Sequence, residues 1–176
     1  MNQYWIIAAI ALPILGAAAI PLLPFRSRRG MLWYIEAIVL LTSAIVGGLL
    51  LGGKTEVFDV VHFVQNLSIS FKIDGMSMVF AGLVALLWPL ATLYAFEYMT
   101  HEKNEKSFFL FYVMTYGVTL GIAFASDILT MYFFYELLTL VTVPLVMHTR
   151  TREAILAVRK YLYYSIGGAA FALMGM

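Results

Sequence analysis

The sequence predicts an all-α membrane protein of six transmembrane helices, N-out and C-out, with a short extracytoplasmic hairpin between the second and third helices. Three observations carry this reading. Of the 176 residues, 62% are hydrophobic and 12% charged, against roughly 45–50% and 25% in a soluble domain. Six apolar runs are each close to the roughly 20 residues that cross a hydrocarbon layer. The basic residues also fall on alternate sides of those runs in a way that one orientation explains.

The spans expected are residues 4–24, 31–53, 76–98, 108–126, 128–147 and 154–176. The first lacks a basic region before it and is too long for a signal peptide, so it reads as a retained helix. With the amino terminus outside, Arg26, Arg28, Arg29, Lys103, Lys106, Arg150, Arg152, Arg159 and Lys160 face the cytoplasm, and only Lys54 and Lys72 lie outside. That puts nine of the eleven basic residues inside, as the positive-inside rule requires. In the connection 54–75, Leu67, Ile69, Phe71 and Ile73 alternate with Ser68, Ser70, Lys72 and Asp74, the period-two pattern of a half-buried strand. The mixed-sign stretch His101-Glu102-Lys103-Asn104-Glu105-Lys106 reads as a solvated turn. Residues 1–176 form a single transmembrane domain, in the cell membrane.

Composition also excludes several function classes. With no cysteine in the chain, disulfides, thiolate metal sites and cysteine-ligated iron–sulfur clusters are ruled out. His62, His101 and His148 show no ligand spacing, so neither a metal nor another cofactor is expected. A net charge of +1 without a basic module gives no reason to propose nucleic-acid binding.

One residue breaks the apolar pattern where breaking it is costly. Glu136 lies about 12 Å along the fifth span, near the middle of a layer about 30 Å thick, where an acid costs about 2.5–3.5 kcal/mol to insert. Its expected role is to bind or relay a proton or cation. The bland reading is a structural carboxyl bonded to a neighbouring helix. Tyr132 and Thr139, four and three residues away on roughly the same face, can hold water or pass a proton, or merely decorate a helix interface. Pro144 frees the carbonyl of Leu140, a water ligand or simply a packing kink, and Pro89 interrupts the third span in the same way. Arg159 and Lys160 either snorkel to the interface or, in the case of Lys160, turn inward as a relay or charge partner of Glu136. Glu36 and Glu97 read as shallower, interfacial acids.

Three stretches then carry a resemblance: Ile73-Asp74-Gly75-Met76-Ser77, Tyr94-Ala95-Phe96-Glu97-Tyr98-Met99, and Phe134-Tyr135-Glu136-Leu137-Leu138-Thr139 running on to Leu145. Together with Glu153-Ala154 and Arg159-Lys160-Tyr161-Leu162 they resemble the amino-terminal part of the antiporter-like subunits of respiratory complex I, membrane-bound hydrogenases and Mrp-type cation/proton antiporters. The resemblance implies a non-catalytic subunit that moves protons, or exchanges sodium for protons. In it the carboxylate at Glu136 faces a lysine on a seventh helix in a switchable ion pair, with Lys160 a secondary relay group. Members of that family carry about fourteen helices, so the chain is expected to be a fragment, or one part of a split subunit. Its expected partners are the lipid bilayer and other membrane subunits, among them a segment that supplies the missing lysine. The alternative is a structural assembly subunit with no path of its own. A quinone site is a weaker third option, because the aromatic and methionine content defines no head-group pocket.

Overall fold

A computed structural model of the chain describes residues 2–53, 57–64, 67–101, 104–148 and 151–175. Lys54, Glu102, Lys103, Arg150 and Met176, which enter the span and charge readings above, lie outside the described residues. The elements run α1 (Asn2–Ala19), α2 (Arg28–Leu51), β1 (Phe58–Val64), β2 (Leu67–Phe71), α3 (Gly75–Tyr98), a 3-10 turn at Met99–His101, α4 (Glu105–Phe124), α5 (Ile128–Val146) and α6 (Arg152–Met174). Six helices form where six apolar runs stand.

By length and hydropathy, α2, α3, α4 and α5 are able to cross a membrane. The apolar part of α1, Tyr4–Ala19, is shorter, and α6 opens on Arg152 and Glu153 and carries Arg159 and Lys160. The chain is a multi-pass membrane protein.

Local chemistry sets the helix ends. Ser27, Asp74, Asp127 and Thr151 each accept a backbone N–H from the first turn of α2, α3, α5 and α6, satisfying a donor that has no partner within the helix. Asn104 precedes α4 with φ 62°, a left-handed conformation that asparagine tolerates better than other non-glycine residues. The sequence reading has Pro89 interrupting the third span. The helix runs on from Gly75 to Tyr98 with Pro89 buried inside it, and the proline leaves the Ala85 carbonyl without its helical donor, as Pro144 does in α5.

The centre of the molecule is α4, which packs against α1, α3 and α5 and buries Phe109, Val113, Tyr116, Leu120 and Phe124. Two glycines make its closest approaches possible. A Cβ on Gly117 would lie 2.5 Å from the carbonyl oxygen of Ile10 and 2.9 Å from the Pro13 ring in α1. A Cβ on Gly121 would lie 2.2 Å from the Phe134 ring in α5. Gly117-Val118-Thr119-Leu120-Gly121 is a small-xxx-small pattern, the device by which helices associate in lipid, where apolar surface alone offers no preference for protein.

The hairpin forms as the alternation predicts, with β1 antiparallel to β2 and Phe58 opposite Phe71. It departs from the expected facing at Ser70. This residue is buried, because its hydroxyl donates to the Asp127 carboxylate and its N–H to the Thr130 hydroxyl. Backbone bonds from Lys72 N–H to the Phe124 carbonyl (2.9 Å) and from Ser126 N–H to the Ser70 carbonyl (2.9 Å) extend the strand onto the α4–α5 junction.

At the other end of the bundle, Arg28 ties three helices together. Its guanidinium donates to both Glu105 carboxylate oxygens (Nε at 3.0 and 2.9 Å, Nη2 at 2.6 Å), to the Phe96 carbonyl (2.8 Å) and to the Thr100 hydroxyl (3.1 Å).

Gly117→Ala is expected to destabilise the bundle by about 1–3 kcal/mol through overpacking, read as a lower unfolding midpoint in detergent. Gly48→Ala, on α2 with nothing within 4 Å of the added carbon, should leave the midpoint unchanged or slightly raised.

Candidate functional site

Glu136 stands on α5, whose position is set from both ends of the helix. At its start, Asp127 caps the first turn: Thr130 N–H and Thr130 Oγ1 each donate to it at 2.8 Å, and the Ser70 hydroxyl donates from the hairpin. Two turns beyond that cap, Phe134 wedges between Gly121 and Phe71, with the Phe71 and Phe134 rings edge-on at 5.6 Å. About two and a half turns beyond Asp127 the chain reaches Glu136.

The Glu136 side chain is half-buried, and its Oε1 is fully enclosed with no hydrogen-bond partner among the described residues. An enclosed, unpartnered carboxyl oxygen costs about 1–3 kcal/mol, so it calls for a proton, a cation or water. No ion pair joins Glu136 to Lys160 or to any other described base. Arg159 and Lys160 are both exposed on α6, and the structure does not bring them to Glu136.

The other residues singled out on α5 are engaged differently. Thr139 is buried, and its hydroxyl pairs with Ser165 Oγ of α6 at 3.0 Å and reaches the Tyr135 carbonyl at 3.3 Å. Thr142, one turn on, pairs with Tyr161 Oη at 2.8 Å and also bonds the Leu138 and Thr139 carbonyls. These two hydroxyl pairs hold α6 to α5. Tyr132 is half-buried. Pro144 lies within α5, which continues to Val146 without a break, and the proline leaves the Leu140 carbonyl without its helical donor.

α6 is the least enclosed of the helices flanking the site, with Val158 and Ala169 its buried residues. Tyr163, Tyr164, Ile166, Phe171 and Met174 stand exposed on it. The packing of α6 is therefore one-sided.

At the hairpin end of α5, a cavity of about 450 Å³ is lined by Lys72, Asp74, Ser77, Thr119 and Asp127 among others. Lys72 Nζ lies 3.0 Å from Asp74 Oδ2. The Asp74 carboxyl is held down at about 2, first by the Ser77 N–H and then by Lys72. For Asp127, partial burial favours the neutral acid, but the Ser70 hydroxyl and the Thr130 donors outweigh it and hold the group below its ordinary value.

The sequence reading places Glu36 among the shallower acids of the second span, and the structure adds that it is buried within the bundle. α2 begins at Arg28 rather than at residue 31, so Glu36 is eight residues in, about 12 Å along the axis. It is only 7% exposed, and its Oε2 has no partner among the described residues.

Comparison with known proteins supplies a setting for this geometry. The family described as NADH-Ubiquinone oxidoreductase (complex I), chain 5 N-terminus, matches residues 62–109. The chain is 24% identical over 181 residues to the chloroplastic NAD(P)H-quinone oxidoreductase chain 4 of Adiantum capillus-veneris, covering 98% of this chain and 36% of that protein. It is 23% identical over 175 residues to Na(+)/H(+) antiporter subunit A1 of Staphylococcus aureus, covering 96% of this chain and 22% of that one. Its fold matches a chain in the structure of the membrane-bound sulfane sulfur reductase, an archaeal respiratory membrane complex, with a TM-score of 0.82 at 22% identity over 97% of this chain and 36% of that one. The chain thus spans about a third of the oxidoreductase relative and about a fifth of the antiporter relative.

Two predictions follow from the cap at Asp127. Asp127→Ala removes the α5 cap and the hairpin's anchor, and should lower stability by about 1–2 kcal/mol at neutral pH, measured by denaturant unfolding in detergent. Asp74 and Asp127 both bind protons less tightly folded than unfolded, where an aspartate titrates near about 3.9. Their contribution is therefore complete above about pH 4 and is lost as the pH falls toward their folded values. A D74N/D127N double variant should show a shallower loss of stability on acidification than the parent chain.

Proposed function

We propose, from its similarity along nearly its whole length to the antiporter-like subunits of complex I-type and Mrp-type membrane complexes, that this chain is the amino-terminal part of a proton- or sodium/proton-translocating membrane subunit. Glu136 is the group that takes up and releases the ion. The observation that carries this reading is the enclosed Oε1 of Glu136, deep in an apolar helix and without a protein partner among the described residues. A carboxyl kept as a structural peg would have its partner in place.

In this reading the six helices all span the membrane, with both termini and the hairpin outside and the Arg28–Glu105 cluster at the cytoplasmic face. The cavity beside Lys72, Asp74 and Asp127 then lies at the outer end of α5. The one-sided packing of α6 supports further helices of the same assembly against it. These include the segment whose lysine would face Glu136, supplied by a continuation of the subunit or by a second chain. A cation arriving within a few Å of an enclosed carboxylate couples to it strongly enough to drive a proton on or off. Lys160, exposed on α6 toward whatever covers that helix, is a relay group at that boundary, with Arg159 beside it.

The alternative, a purely structural subunit in which Glu136 is a neutral peg, gains less support from the geometry. The α5–α6 contact is already pegged by Thr139–Ser165 and Thr142–Tyr161.

The two readings separate on one residue. In the native complex reconstituted into vesicles, Glu136→Gln should abolish ion movement while the complex purifies with all its subunits. Normal transport by Glu136→Gln, together with failed assembly of Glu136→Leu, would establish the structural role instead.

A further inference from the structure

The two ends of the bundle differ in charge. At the hairpin end, Lys72 stands beside Asp74 and Asp127. Where α2 and α4 begin, the described residues set Arg26, Arg28, Arg29 and Lys106 against Glu97 and Glu105, so positive charge prevails. Arg28 is already engaged, since its Nε and Nη2 hold the Glu105 carboxylate, the Phe96 carbonyl and the Thr100 hydroxyl. Arg26, Arg29 and Lys106 have no hydrogen bond or ion pair among the described residues. Arg26 and Lys106 line one cavity, of about 240 Å³, together with Arg28, Glu105, Phe25 and Met31 among others. The acid on that wall, Glu105, is gripped through both oxygens by Arg28. The cavity is therefore left with two bases and no counter-charge of its own.

The surroundings identify what supplies that counter-charge. In a multi-pass membrane protein the ends of apolar helices lie at the level of the lipid headgroups, whichever side of the membrane they face. Trp33, one turn beyond Arg29 on α2 and about 6 Å deeper, is 75% exposed, as befits an amphipathic ring at that level. Leu22 and Leu23, in the connection that leads to Arg26, are exposed as well. Unpaired bases bordered by exposed apolar side chains fit the boundary between headgroup and acyl chain, whereas an acidic protein segment would need a polar rim. A phosphodiester also suits the two bases. A guanidinium binds two phosphate oxygens at once, and an ammonium binds as a point charge. Phe25 and Met31 offer an apolar wall to the glycerol end.

We infer that the cavity at the start of α2 and α4 holds the phosphate of an anionic phospholipid, with Arg26 and Lys106 as its ligands. The Arg28–Glu105 pair forms the fixed wall of the site, and Arg29 adds to its positive field from the adjoining face of α2. The acyl chains stay in the bilayer beside Leu22 and Leu23. A lipid held in this way joins the α1–α2 connection to α4, two parts of the chain that Arg28 alone does not tie together. The inference rests neither on ion movement at Glu136 nor on which side of the membrane this end of the bundle occupies.

The test is native mass spectrometry of the full chain in detergent, titrated with phosphatidylglycerol, with phosphatidylcholine of the same acyl chains and with inorganic phosphate. At about fivefold per base, the parent chain should retain phosphatidylglycerol roughly 30-fold more tightly than phosphatidylcholine. The double variant Arg26→Gln/Lys106→Gln should retain the two lipids equally. Arg152→Gln, which removes the same charge from the start of α6, should keep the full preference. Equal retention of both lipids by the parent, or an equal loss in Arg152→Gln and Arg26→Gln, would overturn the inference. Inorganic phosphate bound as tightly as phosphatidylglycerol would mark a site for the free anion and overturn it too. So would a double variant that keeps its phosphatidylglycerol but loses a neighbouring subunit from the native complex, the result expected of an acidic protein partner. A measurement on the unaltered chain guards against a variant that fails to fold. In bilayers containing phosphatidylglycerol, acylation of the Lys106 amine should be slower than in phosphatidylcholine alone, by a larger factor than at Lys72. Equal slowing at the two lysines, or none at Lys106, would count against the site.

Discussion

The close approach of α4 to α1 and α5 is the constraint from which the rest of the arrangement follows. In lipid, burying a leucine against a neighbouring helix gains little over leaving it against an acyl chain, so association depends on fit. Gly117 and Gly121 let α4 bring its backbone to the Ile10 carbonyl on one side and to the Phe134 ring on the other. With both contacts made, α4 becomes the axis of the bundle, and the elements that carry ionisable groups are hung on it.

α5 is the clearest case. Phe134 docks at Gly121 and against Phe71, and the Asp127 cap is shared with Ser70 of the hairpin, so the hairpin acts as a brace that fixes the height and rotation of α5. That rotation points the Thr139 and Thr142 hydroxyls at α6 and leaves the Glu136 oxygen enclosed but unbonded. The opposite end of the bundle has a different clamp. The Arg28 fork grips Glu105 and the end of α3, so the starts of α2 and α4 and the end of α3 are held together by charge-assisted bonds rather than by packing.

The two enclosed acids differ in their surroundings. Glu136 has hydroxyl-rich neighbours that bond to one another and no basic group among the described residues in reach, a setting that waits for a charge from outside. Glu36 is buried among the apolar side chains of Leu32 and Trp33 on its own helix and Leu93 and Phe96 on α3.

The sequence by itself determined the class, the helices and the anomaly at Glu136. Six apolar runs, a period-two stretch at 67–73 and one acid amid Met131–Leu145 are local patterns, and local patterns survive whatever packs around them. It also held the Gly117–Gly121 spacing, a signal that goes unnoticed among the thirteen glycines until its neighbours are known. Only the tertiary structure decided which groups meet. Ser70 turns inward against its alternation because Asp127, 57 residues away, accepts its hydroxyl. Thr139 and Thr142 become pegs because α6 sets Ser165 and Tyr161 opposite them. Glu36 lies eight residues into α2 because Ser27 caps that helix a turn earlier than the apolar run suggests, and it is buried because the bundle packs around it. Hydropathy is a property of segments, whereas burial, pairing and the orphaning of a polar atom are relations between segments, and three-dimensional packing alone supplies them.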